Sequence, residues 1–194
     1  MTYDIILAGV GGQGVLSIAT IIAGAAMEDG FEVRQSEVHG MSQRGGGVQA
    51  HLRIADGPIV SDLIPSGGAD MILAMEPVES LRYLSFLKAD GVVVTAAEPF
   101  VNIPDYPELS GILEAIRRLP RSLVVESEAL AKEAGNLKSV NMVLVGAALG
   151  ALPVKPETVE ASVRALFGKK DARLVDINLK ALALGRAASR EAVK

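Results

Sequence analysis

Cysteine is absent from the 194-residue chain. Without thiolates the chain cannot hold an iron–sulfur cluster, form a disulfide or attack a substrate through sulfur. Histidine is almost as scarce. Only His39 and His51 occur, too few for a histidine-rich metal centre, and no carboxylate or serine beside His39 completes a triad. Tryptophan is missing and aromatics make up 4% of residues, so Ala, Val, Ile and Leu must fill the core, as in helices packed on parallel strands. Basic residues cluster no further than the pairs Arg117–Arg118 and Lys169–Lys170. With a net charge of −4, this argues against a nucleic-acid partner. No apolar run reaches the ~20 residues needed to cross a bilayer. The greasy stretch from Val10 to Met27 opens on glycines and is broken by Gln13, Ser17 and Thr20. The start, MTYDIILAG, lacks the basic region and cleavage site of a secretory leader. A cytoplasmic protein is expected, bound to neither membrane nor nucleic acid. Missing as well are a phosphate-binding G-x-x-x-x-G-K-[ST] loop, a G-x-S-x-G nucleophile turn and a thiamine pyrophosphate signature, so neither a catalytic residue nor a metal ligand is assigned.

Glycine is what the chain has, and in two places. YDIILAGVGGQGV, Tyr3 to Val15, reads as an apolar strand running into a turn and a helix start. Gly9, Gly11 and Gly14 satisfy G-x-G-x-x-G, a turn that lets backbone N–H groups approach a phosphate at a helix N-terminus. The same glycines would also serve mere close packing of helix on strand. The second loop, EVHGMSQRGGG, Glu37 to Gly47, sets Ser42, Gln43 and Arg44 before Gly45 and Gly46, a group of hydroxyl, amide and guanidinium donors suited to an anion or a partner's backbone. The alternative is a solvated turn in which Gly45–Gly47 simply reverse the chain. His39 shares that loop. Glu37 is the one acidic candidate for the ribose contact of a dinucleotide site, but it comes late and lies near Arg34, which weakens the case for a resident nicotinamide or flavin. Glu76, between a strand and a helix, suits either a site or a cap. His51 is assigned to a surface or an interface.

Periodicity orders the rest. Strands are expected at Asp4–Ala8, Phe31–Ser36, Val48–Ile54, Ala69–Met75, Gly91–Ala96 and Ser122–Glu126. The first helix spans about Gly12 to Glu28 and is apolar nearly all round, so it is buried on more than one side, within the domain or by another subunit. With the strand after it, it makes a right-handed unit of parallel strands. Val48 to Ile54 alternates with Gln49, His51 and Arg53, and this polar face meets water or a partner. Pro77 opens a helix with Val78, Leu81, Leu84 and Leu87 inward. Three prolines make Glu98–Ser110 an irregular excursion. Short helices follow at Gly111–Leu119 and at Ser127–Ala134, the second capped by Ser127. From Val140 onward the pattern is helical, over Asn141–Leu152, Pro156–Leu166 and Ala172–Ser189. The fold class is α/β: a Rossmann-like, mostly parallel sheet with helices on both faces and a helical C-terminal third, in one domain over residues 1–194.

GVGGQGV, SEVHGMSQRGGGVQAHLRI, AMEPVESLRYL and the stretch from Asn141 to Gly150 together resemble the gamma-type subunits or domains of 2-oxoacid:ferredoxin oxidoreductases. The resemblance covers nearly the whole chain, and the EVHGMSQRGG form of the loop points to the indolepyruvate branch. It implies a complex that oxidatively decarboxylates an aryl pyruvate, joins the acyl group to coenzyme A and reduces ferredoxin. A pyruvate or other 2-oxo acid enzyme is the alternative within the family. Thiamine pyrophosphate and [4Fe–4S] clusters are then expected on a large alpha subunit in a hetero-oligomer. This chain would be required but non-catalytic, with no cofactor held firmly. Carried over by position, Gly9, Gly11, Gly12, Gln13 and Gly14 match the first glycine loop and Ser42 to Gly46 the second, with coenzyme A as their implied contact.

Overall fold

The computed structural model describes residues 1–39, 45–101, 103–168 and 171–192. Strands β1 (Thr2–Val10), β2 (Glu32–His39), β3 (Gly47–Ala55), β4 (Ala69–Ala74), β5 (Leu87–Ala96) and β6 (Ser122–Val125) form one sheet in the order β2-β3-β1-β4-β5-β6. β4 is parallel to β1, β5 to β4 and β6 to β5. The exception is β3, antiparallel to both β1 and β2. Its place corrects the expected unit of neighbouring parallel strands. The segment after β2 returns directly as β3, which then takes the seat beside β1, so β2 runs in the direction of β1 but one strand removed. β5 also begins earlier than the expected Gly91, so Leu87 belongs to a strand and not to the preceding helix.

The helices are α1 (Val15–Glu28), α2 (Pro77–Arg82), α3 (Leu109–Arg117), α4 (Ser127–Ala134), α5 (Val140–Ala148), α6 (Pro156–Phe167) and α7 (Ala172–Ala192). Alternation along β1 sends Ile5 and Leu7 into a core shared with α1, α5, α6 and α7, and Ile6 and Ala8 into a second core with Ile112 and Ile116 of α3. Helices therefore cover both faces. Apolar β-branched side chains suit such a doubly covered strand, and Ile5 to Ala8 are fully buried.

The all-round apolarity of α1 has its explanation inside the chain. Ile18, Ile22 and Ala25 are buried along with Ile21 and Ala26, and α6 closes over Gly24, where an added Cβ would lie 3.0 Å from Ser162 Oγ. Asp29, after α1, fastens that cover. Its Oδ2 accepts from Lys155 N at 2.8 Å and from Thr158 Oγ1 at 3.1 Å. The tightest packing is between α5 and α7. A Cβ on Gly146 would stand 2.0 Å from Leu182 O, and one on Gly185 would stand 1.9 Å from Val143 O. Only glycine lets two backbones approach so closely.

The polar face of β3 is not open. Arg53 forks onto buried Asp4, Nε to Oδ1 at 2.9 Å and Nη2 to Oδ2 at 3.0 Å, and its Nη1 donates to the carbonyls of Ser61 and Leu63. His51, expected at a surface or interface, is 5% exposed. Its Nδ1 accepts from Ile64 N at 2.9 Å, and its ring meets Phe86 edge-on at 5.5 Å. The segment after β3 folds back and uses these side chains as anchors, which a period-two pattern does not reveal. No helix among the described residues is long and apolar enough to cross a membrane.

Candidate functional site

In an open α/β sheet, ligands bind beyond the carboxyl ends of the parallel strands. Here that edge carries the turn from β1 into α1. Gly12 and Gly14 adopt φ of 102° and 89°, left-handed values that favour glycine, and Gly14 is the N-cap of α1. The expected helix start at Gly12 thus moves to Val15, because residues 11–14 form the turn. Gln13 braces it: its Oε1 accepts from Val10 N at 2.7 Å, and its Nε2 donates to Met75 O at 3.2 Å, just past β4.

The motif glycines divide by role. A Cβ on Gly9 would sit 2.8 Å from Val15 Cγ2 and 3.0 Å from Met75 Cβ, so Gly9 serves close packing. Gly11 N donates to Gly46 O at 2.9 Å and thereby joins the first glycine turn to the second. A Cβ added to Gly12 would meet nothing within 4 Å, which makes Gly12 the residue an incoming group could approach.

Helices α1, α2 and α4 follow β1, β4 and β6 along this edge, and their starts differ in charge. At α2, the Glu76 carboxylate caps, accepting from Glu79 N at 2.9 Å. It also accepts from Phe100 N and the Tyr106 hydroxyl, which pin the irregular segment after β5. At α4, Glu98 accepts from Ser127 Oγ at 2.7 Å and Glu128 N at 2.8 Å. Ser127 is therefore a donor in the first turn, not the expected cap. At α1 there is no side-chain cap and no acidic residue in the first turn. Of these three helix starts it is the one left electropositive.

The second loop contributes what is described of it. Ser42, Gln43 and Arg44 lie outside the described residues. His39 ends β2 opposite Val48, and Gly45 adopts φ 79°. Beyond Gly46, Glu79 Oε2 stands 3.2 Å from a Gly47 Cβ position, so a side chain there would make the carboxylate shift. Glu79 is 4% exposed; burial pushes its carboxyl up, Arg82 opposes this at 3.1 Å, and Glu76 adds to it. Glu37 is on the exposed edge strand and accepts from Gln35 Nε2 at 2.5 Å. Because β3 lies between β1 and β2, Glu37 is one strand spacing, about 4.8 Å, farther from the turn than a ribose-binding acid on the neighbouring strand. The arrangement fits an anion better than a dinucleotide's ribose.

Periodicity misses Asn141, in the first turn of α5, whose amide nitrogen faces Gly14. The signal available is a single polar residue inside the otherwise apolar VNMVLVGAA. A separate cleft of 690 Å³ lies toward the other ends of the strands, lined by Val92, Val94, Leu123 and Ala147 beside Arg121, away from both glycine turns. Among the described residues no group of three His, Asp or Glu gathers as a metal site.

The model of the pyruvate ferredoxin/flavodoxin oxidoreductase family matches residues 4–188. A curated relative, the indolepyruvate oxidoreductase subunit IorB of Archaeoglobus fulgidus, is 40% identical over 194 residues, covering 95% of this chain and 94% of the relative. The keto/oxoacid ferredoxin oxidoreductase gamma subunit of Geobacter sulfurreducens superposes with a TM-score of 0.71 at 25% identity, over 97% of this chain and 99% of that one. The 2-oxoglutarate:ferredoxin oxidoreductase of Magnetococcus marinus, solved with 2-oxoglutarate, coenzyme A and succinyl-CoA bound, shares the fold with a TM-score of 0.78 at 21% identity; 98% of this chain spans 31% of that longer polypeptide. Nearly end to end, then, the chain belongs to the pyruvate ferredoxin/flavodoxin oxidoreductase family, as a gamma-type oxidoreductase subunit.

Proposed function

We propose that this protein, as one gamma-type domain, is the required but non-catalytic subunit of an indolepyruvate:ferredoxin oxidoreductase. The complex decarboxylates an aryl pyruvate oxidatively, passes the acyl group to coenzyme A and delivers electrons to ferredoxin in the cytoplasm. The observation that carries the reading is the turn at Gly12–Gly14, an uncapped helix start beside a second glycine loop, in a chain whose described residues gather no metal-ligating cluster. Such a site suits an anion.

The coenzyme A diphosphate suits that turn, with Gln13 holding its shape and with Glu37, His39, Ser42, Gln43, Arg44, Gly45 and Gly46 of the second loop as further candidate contacts. Thiamine pyrophosphate and [4Fe–4S] clusters fall to a large alpha subunit. A chain with no cysteine supplies no thiolate to a cluster. The indolepyruvate branch, in preference to pyruvate or another 2-oxo acid, is supported by the 40% identity to the Archaeoglobus fulgidus subunit across nearly both chains.

The test is reconstitution. The purified chain alone is expected to show no indolepyruvate oxidation with coenzyme A and ferredoxin, and to give it on mixing with the large cysteine-containing partner. Turnover by the lone chain, or none after assembly, ends this reading.

A further inference from the structure

Asn141 is the one polar residue buried among Met142, Val143, Leu144 and Val145 of α5, and it is 9% exposed. Its orientation is settled by elimination. Met142 N, which can only donate, lies 3.0 Å from the side-chain oxygen, so that oxygen accepts and the NH₂ points the other way. The NH₂ points at the first glycine turn: Nδ2 lies 3.3 Å from where a Gly14 Cβ would stand, and Ser17 Oγ lies 3.9 Å from the same point. Neither Nδ2 nor Ser17 Oγ has a hydrogen-bond partner among the described residues.

The Asn141 Nδ2 is not among the sealed, unpaired atoms of the described residues, so it can be reached from outside, and its two N–H groups are free to donate to a bound acceptor. What converges on Gly14 is therefore a set of donors: the open N-terminus of α1, the Asn141 NH₂ and a hydroxyl able to donate. No carboxylate caps this helix start, unlike those of α2 and α4. Donors from two helices aimed at one point, with no acceptor supplied by the described residues, call for an oxyanion.

We propose that Asn141, with Ser17 and the Gly12–Gly14 turn, forms a donor-lined seat for a diphosphate oxygen, and that Asn141 is the side chain that distinguishes this seat from a bare helix terminus. That the diphosphate is the one in coenzyme A rests on the functional reading above. Glycine at 14 then has a second reason besides its φ: a side chain there would fill the space between the amide and the ligand.

The test uses two probes and the variant Asn141→Asp. Aspartate keeps the acceptor for Met142 N and suits a first helical turn, so the fold is expected to survive with an unchanged or higher melting temperature. It replaces the NH₂ donor by a negative charge. On the full chain, inorganic pyrophosphate is titrated by calorimetry; wild type is expected to bind, and the variant to bind about tenfold or more weakly. Equal affinity in the two proteins, or no binding by wild type, overturns the seat. In the assembled complex, Asn141→Asp is expected to raise KM for coenzyme A about tenfold while leaving kcat, and KM for phosphate-free pantetheine as acyl acceptor, unchanged. Loss of pyrophosphate binding with an unaltered coenzyme A KM leaves the seat standing and removes coenzyme A as its ligand. Equal losses with both acceptors, and a lowered melting temperature, give Asn141 a structural role only and overturn the proposal.

Discussion

Two groups of glycines do opposite work in this molecule. At the α5–α7 crossing, Gly146 and Gly185 sit inside helices with ordinary backbone, and what they provide is the missing Cβ, since the opposing carbonyls stand 2.0 Å and 1.9 Å from the positions it would occupy. At the β1–α1 turn, Gly12 has empty space around its Cβ position, and what it provides is a φ of 102°. One group is defined by crowding and the other by conformation. Gly9 belongs with the first group although it opens the G-x-G-x-x-G motif. A glycine pattern thus says where the backbone is special but not why.

The largest effect that would break this comparison is expected at the crossing. Gly185→Ala gains roughly 1 kcal/mol of helix propensity yet forces α5 and α7 apart, and is expected to lose about 3 kcal/mol or more of stability in urea unfolding. A change near zero would mean that the helices part freely and that the crossing is not close-packed.

Within the motif the comparison sharpens. Gly9→Ala meets Val15 and Met75 and is expected to cost about 2 kcal/mol. Gly12→Ala is expected to cost only about 1 kcal/mol, from the strain of a side chain at positive φ. In the assembled complex the order reverses, and Gly12→Ala should raise KM for coenzyme A the more of the two. If both variants change KM in proportion to their stability loss, the turn has no contact role.

The smallest effect lies away from both groups. Burial, and then the charge of Arg53, hold the His51 pKa below its ordinary value of 6.5, with Asp4 opposing. The unfolded chain takes up the proton first, so the contribution of neutral His51 is complete above 6.5 and is lost as pH falls through the lower folded value. Protonation also ends acceptance from Ile64 N. Urea midpoints measured between about pH 5 and 7 should fall toward the acid side, and His51→Gln should flatten that slope while leaving the glycine effects intact.

What can be read from the sequence follows the same division. Apolar runs and glycine turns report on one chain segment at a time, and they locate the strands, the helical C-terminal third and the turn into α1. They do not reveal partnerships between distant segments. Glu98 reaching Ser127, Ile64 closing over His51 and the insertion of β3 beside β1 all depend on tertiary return of the chain. Asn141 is invisible for the same reason. Its meaning comes from Gly14, far earlier in the chain, and a lone asparagine in an apolar helix carries no period.

The carboxylates of Glu76 and Glu98 have a consequence beyond holding loops. By neutralising two neighbouring poles from within, they make this rim electrostatically uneven before any companion arrives. A negatively charged visitor would be disfavoured at these two helix starts and would meet no such charge at the start of α1.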